Sequence, residues 1–110
     1  MDHNTEQVIK KEITDNDICL FMKGTAEVPQ CGFSMAVANV LKLLKVNFKT
    51  INVLDNSEIR QGIKEFSDWP TIPQLYIKGN FVGGCDIIKD MFEKGELQKL
   101  LEKNSISYQK

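Results

Sequence analysis

The positions of apolar residues predict strands and helices that alternate along the chain. Residues 18–22 form an uninterrupted apolar run, which is typical of a strand buried on both faces. After Cys31, apolar residues recur at helical spacing and predict a helix that ends at about Lys45. Its apolar positions are Phe33, Val37, Val40, Leu41 and Leu44. Between strand and helix, residues 23–30 hold a glycine and a proline without periodicity, so we expect a loop there.

The rest of the pattern extends this arrangement in both directions. A short amphipathic helix over residues 8–13 precedes the first strand, and residues 48–53 predict a second strand. Asp55 or Asn56 can cap the helix that follows, which contains Ile59 and Ile63. The later predicted elements are a hairpin with strands at 74–77 and 81–82, and two helices over 86–94 and 96–103 that Gly95 separates.

These elements predict an α/β fold with one domain over residues 1–110. Strands and helices that alternate in this order favour a central mixed sheet of four strands with helices on both faces. A length of 110 residues lies in the size range of a single domain. The polar segment 104–110 is expected to be a flexible tail.

Composition and charge exclude several classes of function. The formal net charge of the chain is −1, and the charged residues are spread along the sequence, which argues against nucleic-acid binding. No apolar run is long enough to span a membrane. The polar start, with Asp2 and Glu6, is unlike a secretory signal or a transit peptide. Three cysteines without a disulfide spacing fit a reducing compartment, which we expect to be the cytoplasm, with an organelle matrix as the alternative.

Cys31 is the main candidate for chemistry because it stands where the loop meets a helix. Unpaired backbone N–H groups and the helix dipole favour a thiolate there, and Lys23 would lower the thiol pKa further if the loop folds back. The alternative is a buried structural cysteine. Three residues on, where a dithiol oxidoreductase carries its second cysteine, the chain has Ser34, which can also support the first helical turn. Thiol exchange would therefore need an external thiol, or Cys85 if the fold brings it close.

The number of possible ligands limits a metal site. His3 is the only histidine, and Cys19 lies inside an apolar strand, where we expect it to be part of the core. Three cysteines cannot supply four thiolates. A cluster bound here would need ligands from outside the chain, and dimerisation and a small-molecule thiol are the obvious sources.

Three further features could contact a ligand. Thr71 and Ile72 lie between two prolines, which favours an extended backbone that can pair with a peptide-like partner or simply lead into a strand. Two glycines precede Cys85 and Asp86 at a helix start, where backbone N–H groups could receive a carboxylate. Asp86 could cap that helix or bind a ligand ammonium group. Arg60, the only arginine, could bind a carboxylate or be a solvated surface charge.

Four separated motifs stand in order along nearly the whole chain: KGT at 23–25, EVPQCGFS at 27–34, WPTIPQ at 69–74 and GGCD at 83–86. Together they resemble the monothiol glutaredoxins with a CGFS active site. The resemblance implies a thioredoxin-like fold in which a cis proline, Pro73, lies beside Cys31. The long loop between Lys23 and Cys31 also resembles this class, since dithiol glutaredoxins have a shorter one.

The resemblance further implies a glutathione site and a 2Fe-2S cluster. The residues expected to contact glutathione are Lys23 and Arg60 at the glycyl carboxylate, Thr71 and Ile72 at the cysteinyl backbone, and Cys85 and Asp86 at the glutamyl end. The cluster would lie between two protomers, with Cys31 of each and two glutathione thiolates as ligands. A single-domain member would deliver clusters to apo-proteins and pair with BolA-like partners.

Three hypotheses for function follow. The leading one is a cluster carrier in which Cys31 is a ligand. The alternative is a glutathione-dependent thiol–disulfide oxidoreductase, in which the Cys31 thiolate removes glutathione from a modified protein and a second glutathione regenerates it. The third is a redox sensor with a Cys31–Cys85 disulfide, which requires the two sulfurs to come within bonding reach.

Overall fold

The computed structural model describes residues 1–109, which form one four-stranded sheet, five α-helices and a short 3-10 turn. In chain order the elements are α1 (His3–Asp15), β1 (Ile18–Met22), α2 (Gly32–Leu43), β2 (Lys49–Asn52), the 3-10 turn (Val53–Asp55), α3 (Ser57–Ser67), β3 (Gln74–Ile77), β4 (Asn80–Gly83), α4 (Cys85–Glu93) and α5 (Glu96–Lys103). Within these residues, no helix combines the length and apolar character needed to cross a membrane.

The sheet is mixed and has the strand order β2-β1-β3-β4. β1 pairs in parallel with β2 and antiparallel with β3, and β3 pairs antiparallel with β4. The predicted fold class, an α/β thioredoxin-like fold with a four-stranded mixed sheet, is therefore confirmed.

The sheet separates two apolar cores, which explains the uninterrupted apolar run in β1. Ile18, Leu20 and Met22 face the core formed with α2, α4 and α5. Cys19 and Phe21 face the opposite core, formed with α1 and α3. Because successive side chains of a strand point to opposite faces, a central strand covered on both sides has to be apolar throughout. The outer strands β2 and β4 are partly exposed.

One end of the sheet gathers the segments that the sequence marked for function. Met22 at the end of β1 is opposite Asn52 at the end of β2, and Phe21 is opposite Gln74 at the start of β3. Gly83 at the end of β4 is opposite Leu75. The loop before α2, the proline segment before β3 and the start of α4 therefore meet at this end.

Three details differ from the sequence-based expectation. α2 ends at Leu43, although Leu44 beyond it is still buried. β2 ends at Asn52, and Val53 is buried in the 3-10 turn instead. Phe33, expected on the buried face of α2, is 64% exposed because its ring lines an open pocket and does not pack against the sheet.

The segment after α5, expected to be a flexible tail, contacts the rest of the domain over residues 104–109. The N–H of Ile106 donates to the carbonyl of Leu101 at 2.9 Å, and the N–H of Gln109 donates to the carbonyl of Leu44 at 2.7 Å. Ile106 and Tyr108 pack against the core of α2, α4 and α5. Two alternating apolar side chains thus anchor a segment whose composition is otherwise polar.

Candidate functional site

Cys31 is the N-cap residue of α2, and its thiol is partly exposed. The pKa of this thiol is lowered chiefly by the backbone N–H of Ser34, against a smaller rise from partial burial. The N–H of Phe33 and the positive charge of Lys23 lower it further. Both the position and the direction of the pKa shift agree with the thiolate predicted at this helix start.

Ser34 connects the first turn of α2 to the end of β1. It is fully buried, and its Oγ accepts a hydrogen bond from the backbone N–H of Lys23 at 3.0 Å. The same hydroxyl makes a hydrogen bond that lowers the pKa of Cys31. Ser34 therefore supports the helix start, as the sequence indicated, and also fixes the lysine end of the loop.

A pocket of about 190 Å³ lies beside the start of α2. It is lined by residues from α2, from the segment before β3 and from the start of α4, which are Phe33, Trp69, Thr71, Ile72, Pro73, Gly84, Cys85, Asp86 and Ile87. The structure therefore brings together four of the predicted ligand contacts: Thr71, Ile72, Cys85 and Asp86. Pockets of mixed apolar and polar lining are the usual form of small-ligand sites.

Gln74 supports the part of the pocket lining formed by residues 69–73, a role that the sequence pattern did not indicate. Its side chain is fully buried, and Nε2 donates to the carbonyls of Trp69 at 3.0 Å and Thr71 at 3.3 Å. Tyr76 donates its hydroxyl to Oε1 of Gln74 at 3.1 Å. The feature of the sequence that could have indicated this role is a polar residue at the start of an otherwise apolar strand. The Ile72–Pro73 bond in this wall is cis, as the resemblance implied.

Gly84 lets the chain pass close to Trp69 in the pocket lining. A Cβ at this position would lie 3.2 Å from Nε1 of Trp69 and 3.3 Å from the carbonyl oxygen of Pro73. The Trp69 indole N–H is buried and has no hydrogen-bond partner within residues 1–109. Any side chain at position 84 would therefore push against the indole ring and narrow the pocket.

The start of α4 differs in one respect from the expectation. Its N-cap residue is Gly84 and no side chain caps it, so Asp86 is not the cap. Asp86 instead lies exposed in the first turn, where a carboxylate is favoured by the helix dipole. The pKa of Cys85 is raised, mainly by burial, and the charge of Cys31 contributes to the rise. The two pKa values are shifted in opposite directions, so Cys85 loses its proton at a higher pH than Cys31.

Lys23 and Arg60 do not line the pocket. Lys23 follows β1 and is half-buried near Cys31, whose pKa its charge lowers. Arg60 lies in α3 and is half-buried, and within residues 1–109 no hydrogen bond or ion pair joins its side chain to the pocket. The structure therefore holds the backbone of Lys23 against the first turn of α2, and the contacts of Lys23 and Arg60 with a ligand stay predictions.

Two of the potential metal ligands, Cys19 and His3, lie apart from this site. Cys19 is fully buried in β1, as expected, and burial raises its pKa to about 12. His3 begins α1 on the other side of the sheet from α2. In the part of the chain that the structure describes, no three His, Cys, Asp or Glu side chains form a group able to hold a metal ion. Cys31 and Cys85, the two thiols at this site, therefore do not belong to a group of three such side chains within residues 1–109.

The comparisons with known proteins point to one family. A family model for glutaredoxin matches residues 18–82. A ycf64-like monothiol glutaredoxin of Synechocystis sp. is 51% identical over 102 residues, which is 93% of this chain and 95% of that protein. The solution structure of a monomeric truncated mutant of Trypanosoma brucei 1-C-Grx1 has a TM-score of 0.88 at 39% identity and covers 96% of each chain.

A buckwheat glutaredoxin, solved as a crystal structure of its glutathione complex, shares the fold. Its TM-score is 0.82 at 21% identity, over 94% of this chain and 93% of that one. The sheet order, the cis proline and a thiol at a helix N-terminus define a thioredoxin-like protein. The chain belongs to the glutaredoxin family, among its monothiol members.

Proposed function

We propose that this protein binds glutathione in the pocket beside Cys31 and, as a dimer, carries a 2Fe-2S cluster to apo-proteins. The observation that carries the proposal is the geometry of Cys31. Its thiol is partly exposed, its pKa is lowered at a helix N-terminus, and Ser34 stands where a second cysteine would close a disulfide. Such a thiolate is free to ligate iron.

The pocket fits a small peptide thiol. Thr71 and Ile72 line the pocket just before the cis Pro73. The carbonyl of Thr71 already accepts Nε2 of Gln74, so the other backbone groups of Thr71 and Ile72 would pair with a strand-like partner. The uncapped start of α4 offers backbone N–H groups to the glutamyl carboxylate, while Asp86 would meet the glutamyl ammonium group. The absence of a Cβ at Gly84 keeps this wall open. The glutathione complex of the buckwheat protein with the same fold supports the choice of ligand.

Two cations complete the proposed glutathione site. Lys23 lies close enough to Cys31 to influence its pKa, so it would meet a ligand whose thiol is beside Cys31. Arg60 would join Lys23 at the glycyl carboxylate, since a guanidinium suits bidentate contact with a carboxylate. Cys85 would border the glutamyl end as a neutral thiol.

The cluster is the cargo, and one chain supplies one ligand to it. A 2Fe-2S cluster takes four ligands, commonly thiolates. Cys31 from two copies of the chain and two glutathiones provide four, which agrees with the single reactive thiol of the site. The exposed side chains of Val28 and Phe33, at 61% and 64%, flank Cys31. They would contact the second copy, a BolA-like partner or the recipient apo-protein.

A second function, removal of glutathione from modified proteins, is favoured by the lowered pKa of Cys31. The Cys31 thiolate would attack the glutathione sulfur of a protein–glutathione disulfide, and the protein thiolate would leave. A second glutathione would then attack the mixed disulfide, which regenerates Cys31 and releases glutathione disulfide. Ser34 cannot resolve the mixed disulfide, so this cycle depends on free glutathione.

We place this activity in the cytoplasm, because three free thiols persist in a reducing compartment. An organelle matrix would suit the same chemistry. A Cys31–Cys85 disulfide would instead make the site an oxidation sensor. Mass analysis of peptides from oxidised protein distinguishes this state from a mixed disulfide with glutathione.

Anaerobic reconstitution with iron and sulfide, with and without glutathione, tests the carrier function. We expect visible charge-transfer bands and a dimer by size-exclusion chromatography when glutathione is present, and a colourless monomer when it is absent. The Cys31→Ser variant should lose both the bands and the dimer. Cys19→Ala is the matched control, because Cys19 is buried away from the site, and it should keep both.

Either of two results would contradict the proposal. One is a cluster that Cys31→Ser still binds. The other is a colourless wild-type protein that removes glutathione from a modified peptide, which would make the enzyme the better description. Transfer to an apo-protein is then measured as loss of the bands from the carrier and their appearance on the recipient.

A further inference from the structure

Two adjacent backbone N–H groups just after β1 are both bonded by side chains of neighbouring elements. The N–H of Lys23 donates to Oγ of Ser34 at 3.0 Å, and the N–H of Gly24 donates to Oδ1 of Asn52 at 2.9 Å. Both groups lie beyond the last residue of β1, so the sheet does not pair them. Gly24 is buried, and its N–H would otherwise be left unsatisfied.

The side chain of Asn52 accepts a second hydrogen bond besides that from Gly24. Its Oδ1 also accepts the N–H of Leu54 at 3.0 Å, where Asn52 caps the 3-10 turn that leads into α3. Because both neighbours are donors, the side-chain oxygen and not the nitrogen must face them. One atom thus joins the start of the loop 23–30 to the segment that precedes α3.

The loop 23–30 is folded tightly on itself by backbone hydrogen bonds. The N–H of Gln30 donates to the carbonyl of Lys23 at 2.9 Å, and the N–H of Thr25 donates to the carbonyl of Val28 at 3.2 Å. Gly24 has φ +89°, and a Cβ on it would lie 2.5 Å from the carbonyl oxygen of Val28. A shift of Gly24 would therefore displace Lys23 and the whole loop.

We infer that Asn52 is a positioning residue, which fixes the start of the loop 23–30 and so holds Lys23 beside Cys31 for contact with the glutathione carboxylate. The inference rests on the proposed function, since it takes glutathione as the ligand. Within residues 1–109, Asn52 is neither one of the groups that shift the pKa of Cys31 nor one of the residues that line the pocket. Its effect passes through Gly24 and the loop.

The test compares Asn52→Ala with Asn52→Asp and with the matched control Asn16→Ala. Asp keeps a side-chain oxygen that can accept both N–H groups. Asn16 is the C-cap of α1, donates to the carbonyl of Glu12 at 2.8 Å, and lies next to the opposite end of β1. Hydrogen exchange of the Gly24 amide is followed by NMR, and glutathione affinity by the fluorescence of Trp69, the only tryptophan and part of the pocket lining.

We expect Asn52→Ala to lower the protection of Gly24 and to weaken glutathione binding by about fivefold, which is the loss of about one net hydrogen bond. Asn52→Asp should keep the protection, and Asn16→Ala should leave both measurements close to those of the wild type. If Asn52→Ala does not fold, Asn52→Ser replaces it, because the shorter side chain does not reach both donors.

If Asn52→Ala and Asn16→Ala bind glutathione with the same affinity, the inference about Asn52 is wrong. The proposed function is not affected by that result as long as the wild type binds glutathione. Protection of Gly24 that survives Asn52→Ala would also overturn the inference. A wild-type protein that does not bind glutathione would refute the proposed function itself, and with it the part of the inference that concerns the ligand. The exchange of Gly24 would then still show whether Asn52 holds the loop.

Discussion

Replacing Ser34 with alanine removes one buried hydroxyl that serves two neighbours. Its Oγ accepts the backbone N–H of Lys23 at 3.0 Å, and the hydroxyl also lowers the pKa of Cys31. Because Ser34 is fully buried, no water can replace the lost acceptor without entering the core. An unsatisfied buried N–H destabilises a protein by about 1–3 kcal/mol. With a urea dependence of about 1–3 kcal/mol per M, the midpoint of unfolding should fall by about 1 M.

The same variant has a defined effect on the thiol. The pKa of Cys31 should rise, because the hydroxyl is lost, but it should stay below the ordinary thiol value of 9.0. The reason is that the backbone N–H of Ser34, which is the largest cause of the lowered pKa, remains in Ser34→Ala. The rate of alkylation of Cys31 as a function of pH, followed by mass analysis of its peptide, measures this shift.

Ser57→Ala is the matched control, since Ser57 is an exposed serine in the first turn of α3. Exposed substitutions of this kind change stability by less than about 0.5 kcal/mol. If Ser34→Ala unfolds at the same urea concentration as Ser57→Ala, Ser34 does not hold the end of β1. A Cys31 pKa in Ser34→Ala that reaches the ordinary thiol value would show that the backbone N–H groups do not activate the thiol.

Two further substitutions test the core and the pocket. Burial raises the pKa of Cys19 to about 12, so between pH 9.0 and about 12 the unfolded chain loses a proton that the folded chain keeps, and stability should fall with pH. Cys19→Ala should lose stability less steeply in urea titrations over this range, and an unchanged slope would contradict the assignment. Gly84→Val should weaken glutathione binding by about tenfold or more, about 1.4 kcal/mol, because its side chain would crowd Trp69 and Pro73, which line the pocket. Calorimetric titration measures the affinity, and wild-type affinity would show that this wall does not contact the ligand.

Local patterns in the sequence predicted those elements in which the burial of each residue follows a regular pattern. β1 could be recognised as a central strand because both of its faces are buried, which requires apolar residues at every position. The thiol at Cys31 could be placed at a helix start because a loop and a helical period meet there. The four motifs were sufficient for the monothiol glutaredoxin family because their order and spacing are rarely reproduced by chance.

Other features could not be predicted because they depend on residues that are distant along the chain. Gly24 and Asn52 are 28 positions apart, and Lys23 and Ser34 are 11 apart, so neither hydrogen bond leaves a local pattern. The exposure of Phe33 was mispredicted because helical spacing shows which side chains share a face but not whether another element covers that face.

The sequence by itself determined the layers of the fold and the position of the Cys31 thiol at a helix start, because burial and helix starts follow from neighbouring residues. Only the tertiary structure decided how the ends of the four strands meet, which backbone groups remain for a ligand and which side chains hold the loop. The physical reason is that hydrogen-bond partners are selected by packing in space, and packing joins segments that the sequence keeps far apart.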